Sequence, residues 1–321
     1  MADAASPPGE FAQRILGATA KRSRDVPKLV NLGSLCIDNV YRVGNITGPG
    51  ETVASVSHEV FPGGKGLNQS IAAARAGAAV EHFGCIGSDG LWLRETLAAE
   101  GVNVAGLRVV DTPSGHAVIQ VNDAGENAIV IAGGANRALV PDDVLAALDR
   151  TEAGDWLLLQ NEINDLDSVL RAAYERGCRV AFNVAPVDGR EQGYDLDGVA
   201  LLIVNEIEAA ALAGTDDRHA AVRALRGRYP QAEIVLTVGR DGLTYEGPGG
   251  ASEIPAYPVD PVDETAAGDA FIGYLMAGLI AGEPMTTALR LGSAAGALAV
   301  TKAGAASSIP HRDDVLALVD G

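Results

Sequence analysis

The sequence predicts an α/β fold with a central, mostly parallel sheet and helices on both faces, and three observations predict it. From residue 28 onward, short β-branched or Leu-rich runs alternate with Ala-rich stretches, the order expected of successive βαβ units. Several runs are apolar throughout, as strands covered on both faces must be. Gly77, Gly101 and Gly177 close Ala-rich stretches where a left-handed C-terminal residue belongs, and Pro141 opens one where a first-turn proline fits.

In chain order, strands are expected at residues 29–35, 80–86, 156–160, 180–184, 201–204 and 234–238. Helices are expected at residues 67–77, 91–100, 142–150, 166–177, 217–228, 269–281 and 285–302. Residues 39–61 and 114–131 break this rhythm. They alternate in extended fashion around Gly48-Pro49-Gly50 and Asp123-Ala124-Gly125-Glu126, which reads as hairpins of a small β lid beside the main sheet. With no internal repeat and no low-complexity linker, residues 28–321 read as one main domain interrupted by that lid. Residues 1–27 contain Arg14, Lys21, Arg22 and Arg24 but no apolar signal core, and read as a mobile or loosely helical extension or as a targeting segment.

Composition narrows the function. The 321 residues are 47% hydrophobic and 21% charged, enough for a large core and unlike a disordered chain or a coiled coil. A net charge of −18 repels polyanions and argues against nucleic acid as a partner. Cys36, Cys85 and Cys178 are too widely spaced for a zinc site or a disulfide framework. The most apolar stretch, residues 270–282, is 13 residues long against the ~20 that a bilayer requires, so no membrane partner is expected and the cytoplasm is the expected location.

Two segments carry chemistry. In Asp263-Glu264-Thr265-Ala266-Ala267-Gly268-Asp269, small residues open the apolar helix, so its first backbone amides can approach an anion closely. Asp269 at the edge of that anion hole either caps the helix or accepts a proton from an attacking hydroxyl. In Phe61-Pro62-Gly63-Gly64-Lys65-Gly66-Leu67-Asn68-Gln69, the glycines expose backbone while Lys65 and Asn68 offer donors suited to sugar hydroxyls; the same pattern suits an ordinary strand-to-helix turn. The spacing is not that of a Walker A loop, because Gly66 stands where Ser or Thr should follow Lys65.

Together the two segments resemble the paired signatures of the PfkB family of carbohydrate kinases, on its ribokinase side, over most of residues 28–319. Gly33-Ser34-Leu35-Cys36-Ile37-Asp38, Gly125-Glu126-Asn127, Gly133-Gly134-Ala135-Asn136, Gln160-Asn161-Glu162, Val204-Asn205-Glu206-Ile207-Glu208 and Thr237-Val238-Gly239-Arg240-Asp241-Gly242 extend the likeness. The resemblance implies a ribokinase-like three-layer α/β/α sandwich with a small β-sheet lid. It implies an ATP-dependent kinase acting on the primary hydroxyl of a pentose, D-ribose to D-ribose 5-phosphate. It makes Asp269 the base, with the amides of Ala266, Ala267, Gly268 and Asp269 stabilising the transferring phosphoryl group. Asp38, Cys36, Gly64, Lys65, Asn68 and Glu162 become sugar contacts. Asn205, Thr237, Val238, Gly239, Arg240, Asp241, Gly242, Gly268 and Ser293 would face ATP. Glu208, with Asn205, would place Mg2+ through water. Asp263, Thr265, Ala299, Lys302, Gly304 and Ser308 would hold K+, several of them through backbone carbonyls.

Where ribokinases usually carry Asn, this chain has Cys36, which exchanges a polar sugar contact for a weak thiol donor. A nucleoside, fructose or other sugar kinase of the same family is therefore the alternative, and a sugar-binding regulator without catalysis a further one. A dehydrogenase is disfavoured, since no GxGxxG follows the first strand. The family likeness also implies a homodimer joined through the lids, whose hairpin edges would otherwise be unpaired.

Overall fold

The computed structural model describes residues 27–321, so the extension expected at residues 1–27 lies outside the described residues except for Pro27. In chain order the strands are β1 (Leu29–Leu32), β2 (Cys36–Arg42), β3 (Ser57–Gly63), β4 (Val80–Gly87), β5 (Asn103–Val110), β6 (Gly115–Val121) and β7 (Asn127–Ala132). They continue as β8 (Trp156–Gln160), β9 (Arg179–Asn183), β10 (Val199–Asn205), β11 (Glu233–Thr237), β12 (Leu243–Gly247) and β13 (Gly250–Ile254). The helices are α1 (Lys65–Arg75), α2 (Leu91–Ala99), α3 (Pro141–Asp149), α4 (Leu166–Glu175) and α5 (Glu206–Ala213). They continue as α6 (Arg218–Arg228), α7 (Ala267–Ile280), α8 (Met285–Ala299) and α9 (Arg312–Asp320).

Nine strands form one sheet in the order β13-β12-β11-β10-β9-β8-β1-β4-β5. All neighbours are parallel except β11–β12 and β12–β13. The central strands are apolar throughout because they separate two cores. Leu158 belongs to the core that also holds Ile71 of α1, Tyr274 of α7 and Leu289 of α8. Its neighbours Leu157 and Leu159 belong to the core on the other face, which also holds Leu148 of α3, Leu170 of α4 and Leu225 of α6. Burying each such leucine contributes about 1.5–3 kcal/mol before chain entropy is counted, and both faces of the sheet gain in this way. The three-layer α/β/α sandwich follows.

The smaller sheet has the order β3-β2-β6-β7. β6 and β7 form the expected hairpin. β2 and β3 differ from expectation: they pair antiparallel but are joined by residues 43–56 rather than by a tight turn. β2 also pairs in parallel with β6, from Cys36 opposite Gly115 to Arg42 opposite Val121, which merges the two segments into one sheet.

Other differences have local causes. The expected first strand stops at Leu32, and a second begins at Cys36, so Cys36 and Asp38 lie on the smaller sheet. The edge strand β5 and the β12–β13 hairpin were not anticipated, because edges are half-exposed and their sequences lack continuous apolar character. The eight-residue helix α5 and the terminal α9 were not anticipated. α8 stops at Ala299, not 302, where the Val300 carbonyl accepts the amides of Val262 and Asp263 instead of continuing the helix. Among the described residues no helix is long and apolar enough to cross a membrane.

Candidate active site

Two helix starts meet at the site. Gly64 caps α1 with a φ of +94°, and a Cβ there would lie 2.9 Å from the Cys36 amide nitrogen, so both conformation and contact require glycine. α7 begins at Ala266, whose φ of +60° is a left-handed conformation held by a residue with a Cβ. The first intrahelical bond of α7 runs from the Ala270 amide to the Ala266 carbonyl at 2.8 Å; the Ala267 amide, expected among the anion-hole donors, instead closes the turn on the Glu264 carbonyl at 3.3 Å, which leaves the Gly268 and Asp269 amides as the open ones. A Cβ on Gly268 would meet nothing within 4 Å, which leaves the space beside those amides open. Deeper along α7, a Cβ on Gly273 would come 2.3 Å from the Ala72 Cβ and 2.6 Å from the Ala73 nitrogen, so α1 and α7 touch backbone to backbone.

That close packing brings Asn68 and Gln69 against Asp269. Asn68 Nδ2 donates to Asp269 Oδ2 at 2.9 Å, and Gln69 Nε2 donates to Oδ1 at 2.8 Å. Burial pushes the Asp269 carboxyl above its ordinary range, while Lys65 and these two amides pull it back. The Lys65 backbone amide donates to Glu162 Oε2 at 3.0 Å, and the Ser34 hydroxyl donates to the same oxygen. The Asp38 carboxylate lies over Gly63, where a Cβ would come 2.0 Å from Oδ2. Burial, with Glu162 and Asp269 nearby, pushes Asp38 up to about 7. Burial alone would lower the Lys65 ammonium; Asp269, Glu162 and Glu208 outweigh it and hold Lys65 above its ordinary range. Cys36 is buried, its thiol pushed well up by burial, and Asn136 Nδ2 lies 3.5 Å from its sulfur. The proposed sugar residues Asp38, Cys36, Gly64, Lys65, Asn68 and Glu162 are thus gathered around Asp269.

Two cavities adjoin the start of α7. The smaller, about 230 Å³, is lined by Lys65, Asn205, Glu208, Ala266, Gly268 and Asp269 among others. The larger, about 800 Å³, is reached past Asn205, Thr237 and Gly268 and includes Gly239, Arg240, Gly242 and Ser293. Val238 and Asp241 do not line it. Val238 is buried in the core, and Asp241 turns outward to pair with Arg218 at 3.0 Å. Both instead shape the turn, the Val238 amide bonding the Gly242 carbonyl at 2.9 Å. Asn205 and Glu208 form a reciprocal cap: Asn205 Oδ1 accepts the Glu208 amide at 3.0 Å, and Glu208 Oε2 accepts the Asn205 amide at 2.9 Å. Glu208 is buried, and burial raises its carboxyl despite that amide and Lys65.

A third cluster braces the α7 loop. Asp263 accepts the Thr265 amide at Oδ1 and the Gly304 amide at Oδ2, both at 2.9 Å. Burial would raise Asp263, but these amides hold it below its ordinary range. The Ala299 carbonyl accepts the Lys302 amide at 3.2 Å, and the buried Ser308 hydroxyl donates to the Ala305 carbonyl at 2.9 Å. Residues 263–265 and 299–308 are thereby drawn together. Among the described residues no three His, Cys, Asp or Glu side chains cluster to hold a metal ion directly.

Several groups at the site gave no sufficient signal in the sequence. Gln69 and Gln160 stand in the quoted segments, yet only the fold shows that Gln69 bonds Asp269 and Gln160 bonds Gln69. Leu243, Tyr257, Val259 and Phe271 line the larger cavity, and as apolar residues they are indistinguishable from core in the sequence.

Known proteins resemble this chain over most of its length. The model of the pfkB family carbohydrate kinases matches residues 26–312. Ribokinase of Haemophilus influenzae is 35% identical over 301 residues, covering 91% of this chain and 98% of the relative. A ribokinase structure from Cryptococcus neoformans in complex with ADP superposes with a TM-score of 0.79 at 31% identity, covering 90% of this chain and 98% of that one. The Arabidopsis thaliana ribokinase complexed with ribose and ATP gives a TM-score of 0.81 at 28% identity, covering 92% and 99%.

Proposed function

The chain belongs to the pfkB family of carbohydrate kinases, and on that premise we propose that it transfers the γ-phosphoryl group of ATP to the primary hydroxyl of D-ribose, giving D-ribose 5-phosphate and ADP. The observation that carries the reading is the place of Asp269. Its carboxylate stands in the first turn of α7 and on the wall of the smaller cavity, beside the open amides at Gly268 and within the ring of proposed sugar contacts.

In the step that this arrangement supports, Asp269 takes the proton of the primary hydroxyl as its oxygen bonds the γ-phosphorus and the bond to the β-phosphate oxygen breaks. The open amides of Gly268 and Asp269 meet the charge on the transferring group without reorganising. Asp38, Asn68 and Glu162 fix the sugar by directional bonds, and the adenosine end occupies the larger cavity past Thr237 and Ser293. The four-stranded sheet acts as the lid that excludes water.

Among the described residues, Lys65 is the ammonium that the carboxylates of Asp269, Glu162 and Glu208 act on, with Asp38 close by, so a triphosphate would enter an already negative site. That donor set fits a magnesium ion held through water by Glu208 and Asn205, which when bound supplies charge neutralisation to the phosphates. By the family likeness, Asp263, Thr265, Ala299, Lys302, Gly304 and Ser308 would hold a potassium ion, several of them through carbonyls, bracing the start of α7; that Asp263 ties Thr265 to Gly304 supports this reading. Val60, Val118, Ile129, Val130 and Ile131 are exposed on the smaller sheet, which supports a homodimer through the lids. Three free cysteines and an ATP substrate suit the cytoplasm.

A coupled ADP-release assay over ribose, deoxyribose, fructose and nucleosides, run in potassium and in sodium, tests the reading. The highest kcat/KM is expected on ribose. Preference for a nucleoside or fructose would move the substrate within the family, with Cys36 as the reason, and no ADP with any sugar would leave a binding protein.

A further inference from the structure

A chain of buried amides runs away from the site behind Asp269. Gln69 Nε2 donates to Asp269 Oδ1 at 2.8 Å, Gln160 Nε2 donates to Gln69 Oε1 at 2.8 Å, and the same Gln160 nitrogen donates to Asn31 Oδ1 at 3.0 Å. Asn31 Nδ2 ends the chain by donating to the Gly66 carbonyl at 2.9 Å and to the Ser70 hydroxyl at 2.8 Å. Asn31, Gln69 and Gln160 are all 0% exposed, so water cannot substitute for any link.

An amide side chain can be turned end for end, so the direction of such a chain needs a fixed point. The Gly66 carbonyl supplies it, because a backbone carbonyl only accepts. Asn31 must present its NH2 there, which turns its oxygen toward Gln160. Gln160 must then donate, Gln69 must accept from it, and the Gln69 NH2 is left facing Asp269. The orientation leaves Gln160 Oε1 buried with no partner, an arrangement tolerated because the reverse would set oxygen against oxygen at two contacts.

We propose that Gln69, Gln160 and Asn31 are positioning residues whose amide direction, set by the Gly66 carbonyl, presents an N–H to Asp269 Oδ1, favouring the ionised carboxylate and leaving Oδ2, which also accepts from Asn68 Nδ2, its other lone pair for the substrate proton. The inference rests on the reading of Asp269 as the base. Other charged groups also bear on Asp269: Lys65 on α1, Glu162 after β8, Asp38 on β2 and Glu208 on α5. None of them bonds Oδ1, and none is altered by the test below.

Gln160→Glu keeps the shape of the side chain but cannot donate to both oxygens that Gln160 serves. The expected result is a kcat about tenfold lower with sugar KM within about twofold, and an acid limb of the kcat–pH profile moved to higher pH. Gln160→Met, a second variant against the chance that a buried carboxyl unfolds the chain, is expected to move the same limb the same way. ADP affinity and melting temperature verify folding. Asp269→Asn run beside them separates the two readings. Turnover retained there overturns the base and the relay with it; turnover lost there, with profiles of the folded Gln160 variants superposing on the parent, overturns the relay alone.

Discussion

Asn68 and Asp269 stand 201 residues apart in the chain, yet the Asn68 amide nitrogen lies 2.9 Å from the Asp269 carboxylate. One comes from the first turn of α1 and the other from the first turn of α7, and the bond exists only because those helices touch backbone to backbone at Gly273. If Asp269 is the base, Asp269→Asn lowers kcat by about 10³-fold or more, while ADP binding and melting temperature hold. Steady-state kinetics with calorimetric ADP titration checks this, and near-normal turnover would remove Asp269 from the chemistry.

Two glycines of α7 should respond oppositely to alanine. Gly268 has open space where a Cβ would go, so Gly268→Ala should fold normally, even gaining up to about 1 kcal/mol of helix propensity, but lose phosphoryl transfer because the methyl occupies the ligand's side. Gly273→Ala should instead destabilise by about 1–3 kcal/mol by forcing α1 and α7 apart. Chemical denaturation and initial rates on both variants test the contrast. A stable, fully active Gly268→Ala protein would mean that nothing approaches that amide.

Asp38 gives a pH signature. Its value of about 7 in the folded chain exceeds the ~3.9 of a free aspartate, so between about pH 4 and 7 the native state holds a proton that the unfolded chain releases. Its contribution to stability is therefore full at low pH and is lost as pH rises through 7. Asp38→Asn should melt higher than the parent at pH 8, with the gap narrowing below pH 7 and closing only near pH 4, and should raise sugar KM. Parallel melting curves over pH would contradict this.

Asp263 joins the Thr265 and Gly304 amides. Asp263→Ala should loosen the loop and bring the ratio of rates in potassium and sodium to about one, if the ion braces the anion hole. Equal rates in the two salts for the parent chain would place no activating ion there.

Ala266 holds a left-handed φ at the cap of α7. Ala266→Gly relieves that conformation and should stabilise the fold by no more than about 1 kcal/mol, since glycine's greater freedom in the unfolded chain offsets part of the gain. A lower melting temperature would show that the alanine methyl is needed in packing.

The sequence by itself determined the alternation of strands and helices, the two glycine-bearing helix starts and the family likeness. These are local properties: apolar runs mark strands buried on both faces, and glycine, alanine and aspartate at a helix start declare open amides wherever the helix sits. The strand exchange after Leu32, which moves Cys36 and Asp38 onto the smaller sheet, was decided by pairing with β6, a contact between distant segments. The apolar wall of the larger cavity was likewise hidden, since Phe271 and Tyr257 look the same in a core as beside a ligand. The direction of the amides behind Asp269 was beyond any local pattern. It depends on a single carbonyl, that of Gly66, being brought to Asn31 by the packing of α1 on β1, and only a folded chain fixes which end of an amide faces which neighbour.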